Sequence, residues 1–130
     1  MTTDNSLGKK VLIVDDSMYM RLLIKKNLTK AGFEVIGEAA DGESAVSLAL
    51  KISPDLITLD NILPDMYGTD ILKLLASKGV KSKIIMISAV GQHSIISESL
   101  SLGAVYYVVK PFTSEVLVQT AIDALGSKEY

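Results

Sequence analysis

The sequence predicts an α/β fold: one domain built on a doubly wound parallel sheet of five strands, with helices on both faces. Three observations predict it. Five short apolar runs, at 11–14, 33–39, 56–59, 84–87 and 105–109, are each followed by a stretch whose apolar residues recur at helical spacing. The connections are short, as strand-helix-strand units with right-handed crossovers require. Hydrophobic residues make up 48% of the 130, with a mean hydropathy of +0.36. That is high for so short a chain and suits a sheet covered on both faces better than one covered on a single face.

The first strand is the clearest element. Val11, Leu12, Ile13 and Val14 form an uninterrupted apolar run, and two adjacent carboxylates, Asp15 and Asp16, follow where it stops. Residues 1–9 before it are polar and aperiodic, a loose tail. Beyond Asp16, Met20, Leu23, Ile24 and Leu28 recur at helical spacing, while Arg21, Lys25, Lys26 and Lys30 fall towards the other side and read as a solvated face. A helix therefore runs over 17–31, and Gly32 closes it. The stretch 33–39 alternates only in part, with Glu34 among apolar neighbours and Gly37 inside, and reads as a less buried second strand. Asp41 offers an N-cap to a helix through Ala45, Val46, Leu48, Ala49 and Ile52, which Pro54 stops.

Residues 56–60 are the third strand, ending on Asp60. The loop 61–68 leads into a helix through Ile71, Leu72, Leu74 and Leu75, closed by Gly79. The fourth strand, 84–88, ends on Ser88. A helix over 94–102 then turns Ile95, Ile96 and Leu100 inward before Gly103 ends it. The fifth strand, 105–110, ends on Lys110, and Pro111 follows. Thr113 caps a last helix running to Leu125, with Glu115 favourably placed in its first turn. Gly126 closes that helix, which puts the folded domain at 10–126 and a short tail at 127–130.

Composition narrows the chemistry. With Cys 0 there are no disulfides, thiolate nucleophiles or zinc-cysteine sites, which fits a cytoplasmic location. A formal net charge of −2 gives no general pull towards nucleic acid or an anionic membrane. The longest apolar run, 104–109, is far too short to span a bilayer, and residues 1–8 lack the basic-then-apolar layout of a secretion signal. No Gly-x-x-x-x-Gly-Lys phosphate loop or Gly-x-Gly-x-x-Gly dinucleotide turn is present. A Ser-His-Asp triad would need His93, which reads as an exposed histidine near a helix start.

What remains is gathered at the strand ends. In parallel α/β sheets ligands bind beyond the carboxyl ends of the strands, so Asp15, Asp16, Asp60, Ser88 and Lys110 should share one rim. Three carboxylates without cysteine or a second histidine specify an oxygen-ligand site, for Mg²⁺ with Mn²⁺ as the alternative. Without an ion the acids repel one another. The amine and hydroxyl then need a second anion, and a phosphoryl group beside the metal suits both. Asp60 stands alone while Asp15 and Asp16 pair, so Asp60 is the candidate phosphoryl acceptor.

Read in order, Val-Asp-Asp at 14–16, Glu-Ala-Ala-Asp-Gly at 38–42, Pro-Asp-Leu-Ile-Thr-Leu-Asp at 54–60, Leu-Pro-Asp-Met-Tyr-Gly at 63–68, Ser-Ala at 88–89 and Lys-Pro-Phe at 110–112 make a specific set. The chain resembles the receiver domain of two-component response regulators over about residues 10–126, and most of all the free-standing chemotaxis type. The resemblance implies the flavodoxin-like and CheY-like strand order 2-1-3-4-5. It makes Asp60 the residue phosphorylated by a histidine kinase. It implies Mg²⁺ held directly by Asp16, Asp60 and the backbone carbonyl of Ile62, with Asp15 acting mostly through water. Lys110 would pair with the phosphoryl oxygens, Ser88 would turn its hydroxyl onto them, and Tyr107 would move inward with Ser88. Tyr106, facing the opposite side of the strand, is left to packing. Lys110-Pro111 would be a cis bond.

The resemblance further implies a cytoplasmic monomer, not inserted in membrane and not bound to nucleic acid. Its surface of helix 4, strand 5 and helix 5 would control a downstream protein such as a flagellar motor switch protein, with a separate phosphatase as a further partner. Four positions depart from the family pattern. Tyr67 stands where Asp is usual, Ser88 replaces the commoner Thr, and Ile62 and Val90 occupy places often filled by polar residues that touch the attacking water. A stand-alone phosphorelay intermediate would share most of these features. A metal-dependent phosphohydrolase of the haloacid-dehalogenase type is a poorer match, because its Asp-x-Asp pattern after strand 1 is not met by Asp15-Asp16-Ser17.

Overall fold

The structure, a computed structural model, describes residues 7–126; the expected tails over 1–6 and 127–130 lie outside the described residues. In chain order the elements are β1 (Lys10–Val14), α1 (Met18–Lys30), β2 (Glu34–Ala39), α2 (Gly42–Ile52), β3 (Leu56–Leu59), α3 (Gly68–Ser77), β4 (Lys83–Ser88), α4 (His93–Ser101), β5 (Tyr106–Val109) and α5 (Ser114–Gly126). The five strands are parallel in the order β2-β1-β3-β4-β5, as the sequence predicts. Two residues of the expected N-terminal tail also join the fold: Gly8 N–H donates to the Gly32 carbonyl at 3.0 Å, and the Lys9 carbonyl accepts from Glu34 N–H at 2.8 Å.

The sheet is covered on both faces because successive side chains of its central strands point to opposite sides. Leu12, Val14, Ile57, Leu59 and Met86 face one core with Ala45, Ala49, Ile71, Leu72 and Leu75 of α2 and α3. Val11, Ile13, Leu56, Ile85, Ile87 and Val108 face the other with Ile24 and Leu28 of α1 and Leu117, Ala121 and Ala124 of α5. β2 lies at the edge and is less buried, as expected. Its pairing with β1 slips between Val11 and Leu12, leaving Ile36 as a bulge. Gly37 follows that bulge, where a Cβ would come within 3.0 Å of Ile52 Cδ1.

α2 and α5 begin on the caps the sequence offers, Asp41 and Thr113, and α1 begins on Ser17. Ser17 Oγ accepts from Met20 N–H at 3.2 Å, Asp41 Oδ1 from Ser44 N–H at 2.8 Å, and Thr113 Oγ1 from Val116 N–H at 3.1 Å. Gly32, Gly79 and Gly103, with φ of 102°, 74° and 115°, end α1, α3 and α4. One inward position differs from the reading above. Leu100 is 43% exposed, and Ser99 is the buried residue of α4. Its hydroxyl donates to the Ile95 carbonyl at 2.8 Å, so a small polar group packs there without losing its hydrogen bond. Among the described residues no helix is long and apolar enough to cross a membrane.

Thr58, 1% exposed in the middle of β3, is the one described residue with a buried side-chain polar atom that has no partner. A desolvated hydroxyl without a hydrogen bond is destabilising. Thr58→Val, which keeps the shape, is therefore expected to raise the unfolding free energy by about 1 kcal/mol, measured by urea titration. A loss of stability would show the hydroxyl to be engaged.

Candidate functional site

The backbone ladder runs one residue past the named strands, and there it meets three of the predicted site residues. Asp15 N–H donates to the Ala39 carbonyl at 3.0 Å, Asp60 N–H to the Val14 carbonyl at 3.0 Å, and Lys110 N–H to the Ser88 carbonyl at 2.9 Å. Three functional side chains are thus placed by the sheet's register and not by loop conformation. They meet at one rim.

Asp15 is 1% exposed and its carboxylate is occupied on both sides. Oδ1 accepts from Ser17 N–H at 2.9 Å and Oδ2 from the Lys110 ammonium at 2.8 Å. The same ammonium reaches Asp60 Oδ2 at 3.3 Å, and Asp60 Oδ1 accepts from Ile62 N–H at 3.4 Å. Asp16 is exposed, and among the described residues its carboxylate has no hydrogen bond or ion pair. One carboxylate oxygen from each of Asp15, Asp16 and Asp60 can be chosen so that all three lie within 4.8 Å of one another, and such a cluster could hold a metal ion. An all-oxygen set of this kind fits a hard dication of the Mg²⁺ class.

Burial raises the Asp60 carboxyl above its ordinary value; the Lys110 charge opposes that shift and the Asp15 charge adds to it. Burial alone would lower the Lys110 amine, but its hydrogen bond to Asp15 and the charges of Asp60 and Asp15 outweigh this and raise it. One ammonium therefore leaves Asp60 under-compensated.

The remaining predicted residues line the same rim. Ser88 is 1% exposed, and its Oγ accepts from Val90 N–H at 3.2 Å. Tyr107 is half-buried, and its hydroxyl donates to the Val90 carbonyl. Burial pushes the Tyr107 phenol up, against the effect of the neighbouring Ser88 hydroxyl, with the Asp60 charge adding to the rise. Tyr106 is 39% exposed on the other side of β5. The Lys110-Pro111 bond is cis. His93 opens α4 and is exposed.

The loop after Asp60 folds back on itself. Gly68 N–H donates to the Asn61 carbonyl at 2.7 Å, and Ile62 bridges to Tyr67. A Cβ on Gly68 would sit 2.6 Å from the Asp60 carbonyl oxygen and 2.9 Å from Asn61 Cα, so no other residue fits this approach. The departing residue Tyr67 keeps a backbone role, its N–H donating to Asp70 Oδ2 at 3.2 Å. Two contacts around the site are not foreseen by the sequence reading. Asp65 accepts from Gly42 and Glu43 N–H at 2.7 and 3.0 Å, clasping the loop to the start of α2, and these bonds hold its carboxyl below the ordinary value. Arg21, assigned above to a solvated face, turns towards β2 and the Asp15 carbonyl. The available signals were Asp65 facing a glycine-started helix, and Glu38 as a charge near the end of an edge strand.

With this geometry in place, likeness to known proteins becomes informative. Residues 11–122 match the response regulator receiver domain. The chain belongs to the response regulator receiver family. It is 42% identical over 113 residues to the chemotaxis protein CheY of Thermotoga maritima, covering 87% of this chain and 94% of that one. It is 40% identical over 113 residues to the CheY of Bacillus subtilis, with the same coverage. Among solved structures, a chain of the CheX–CheY–BeF3–Mg²⁺ complex from Borrelia burgdorferi superposes with a TM-score of 0.88 at 32% identity, covering 94% of this chain and 92% of that one. The receiver is thus a CheY-like member of two-component signalling.

The raised Asp60 carboxyl has a consequence for stability. An unfolded aspartate titrates near about 3.9. Between that pH and its higher folded value, the folded receiver keeps a proton that the unfolded chain has released, so stability falls as pH rises through that window and stays lowered at neutral pH. In chelator, Asp60→Asn is expected to melt several degrees above the parent at neutral pH and to lose that advantage below about pH 4. Thermal scans across pH check this; equal melting at neutral pH would show the acids to be fully compensated.

Proposed function

We propose that this receiver is a phosphorylation-driven switch in which Asp60 accepts a phosphoryl group from a histidine kinase. The observation that carries the reading is the ammonium of Lys110 held between Asp15 and Asp60 at 2.8 and 3.3 Å, beside three carboxylates that converge. In the transfer, an Asp60 carboxylate oxygen attacks phosphorus, the phosphorus–nitrogen bond of the phosphohistidine breaks, and the imidazole takes back its electron pair. Mg²⁺ would supply charge neutralisation for the phosphoryl oxygens. Asp16, Asp60 and the Ile62 carbonyl would hold it directly, with Asp15 acting through water, and Mn²⁺ is the alternative ion. That division suits Asp15, whose oxygens already serve Ser17 and Lys110. Lys110 neutralises a phosphoryl oxygen and keeps its bond to Asp15.

Val90 links the site to the outer surface. Its N–H binds Ser88 and its carbonyl binds Tyr107. A phosphoryl group brings about −1.5 to −2 charge, and a hydrogen bond from Ser88 to it is worth about 1.5–3 kcal/mol. Turning the Ser88 hydroxyl towards it changes what Val90 and then Tyr107 can bond, a sufficient bias for a two-state segment. The face read by a partner is α4, β5 and α5, where Leu100, Tyr106, Val109 and Val116 are exposed. The relatives named CheY are chemotaxis proteins. We extend that role here, with a cytoplasmic monomer acting on a flagellar motor switch protein or a comparable target.

Ile62 and Val90 offer no side-chain group to orient an attacking water, so the acyl phosphate should persist and a separate phosphatase would shorten its life. Incubation with Mg²⁺ and acetyl phosphate is expected to give a mass gain of one phosphoryl group that is absent in Asp60→Asn and outlasts a minutes-long chase. Loss within seconds would overturn the slow-decay reading, continuous turnover would indicate a phosphohydrolase, and no adduct would overturn the switch.

A further inference from the structure

We propose that Arg21 is a positioning residue for the divalent-cation site, setting the aim of Asp16 by holding the carbonyl of the residue before it. This rests on the Mg²⁺ reading above.

Of the three clustered acids, two are fixed by their own side-chain bonds. Asp15 is held by Ser17 and Lys110, and Asp60 by Ile62 and Lys110. Asp16 has no such tie among the described residues. Its carboxylate therefore points where its backbone directs it. That backbone is the peptide unit joining Asp15 to Asp16, and its carbonyl oxygen accepts from Arg21 Nη1 at 2.8 Å. Because the peptide is planar, fixing the carbonyl also fixes the Asp16 nitrogen and Cα.

Arg21 is itself anchored. Its Nε lies 3.1 Å from Glu38 Oε1, and Lys25 holds the other oxygen of that carboxylate at 3.5 Å. The guanidinium side chain is 15% exposed. Glu38 pairs with Ile13 across the β1–β2 ladder, so the chain of contacts runs from the edge strand, through Arg21, to the acidic turn. The rigid fork of a guanidinium serves a carbonyl and a carboxylate at once, which a single ammonium does less well.

Charge and position make opposite predictions, and this gives the proposal its test. A cation beside a dication site repels the dication, so on Coulombic grounds alone removing Arg21 would tighten Mg²⁺ binding. If Arg21 positions Asp16, removing it loosens a ligand, and loss of such outer contacts costs roughly 10–100-fold in metal affinity.

Mg²⁺ affinity would be measured by calorimetric titration of the full chain, well below the melting temperature, for the parent, Arg21→Ala, Arg21→Lys, Glu38→Gln and Lys26→Ala. Lys26, an exposed cation on the same helix, controls for net charge. Binding roughly tenfold weaker in Arg21→Ala, weakened also in Arg21→Lys and Glu38→Gln, and unchanged or slightly tighter in Lys26→Ala, supports the proposal. Unchanged or tighter binding in Arg21→Ala overturns it while leaving the metal reading intact. Failure of the parent to bind Mg²⁺ overturns the metal reading and this one with it. Arg21→Lys keeps charge and stem, so it decides the matter if Arg21→Ala does not fold.

Discussion

One ammonium shared by two buried carboxylates is the constraint from which the rest of this receiver follows. Isolated acids at the depth of Asp15 and Asp60 would be strongly disfavoured, and Lys110 makes their adjacency tolerable. Its position comes from the far edge of the sheet. β5 must lie beside β4, and β4 beside β3, for Lys110 to arrive opposite β1 and β3. Sheet order and site chemistry are therefore one requirement. A different winding would leave the acids without their counterion.

The compensation is incomplete. Asp60 stays harder to ionise than a free aspartate because burial outweighs the help from Lys110. Asp16 sits in solvent at the mouth, contributing charge without relief from a partner. A cluster in this state gains from a dication and from whatever anion the dication and lysine attract together. The rim is open. A cleft of about 550 Å³ lies at the opposite end, lined by Lys9, Ser53, Pro54 and Lys81 among others, away from the convergent acids.

Most of the fold was legible because its central strands are buried on both faces. Residues 11–14 are apolar without a break and 56–59 are interrupted only by Thr58, so the carboxylate that follows each marks both the strand's end and the sheet's rim. Asp15 and Asp60 were found this way, and Ser88 and Lys110 by the same rule. Local caps such as Asp41 and Thr113 were legible because donor and acceptor lie within four residues of each other. Contacts between distant segments were not. Arg21 reaches Glu38 and Asp65 reaches Gly42, each across a span that no periodicity reports. Ser99 failed for another reason: a buried hydroxyl that bonds its own helix resembles a surface serine in sequence.

The two unforeseen contacts have a common role. Asp65 pins the loop that carries Ile62 to the start of α2, while Arg21 pins the turn that carries Asp16 to the end of β2. The sheet fixes Asp15, Asp60 and Lys110 directly through its ladder, but Ile62 and Asp16 lie beyond its reach, in loops. Loops fluctuate unless they are tied. Each of these two loops is tied by one charged side chain to a neighbouring element. The segment from Ser88 to Val90 is held instead by two hydrogen bonds at Val90, its N–H donating to Ser88 Oγ and its carbonyl accepting from the Tyr107 hydroxyl, with no charged side chain tying it down.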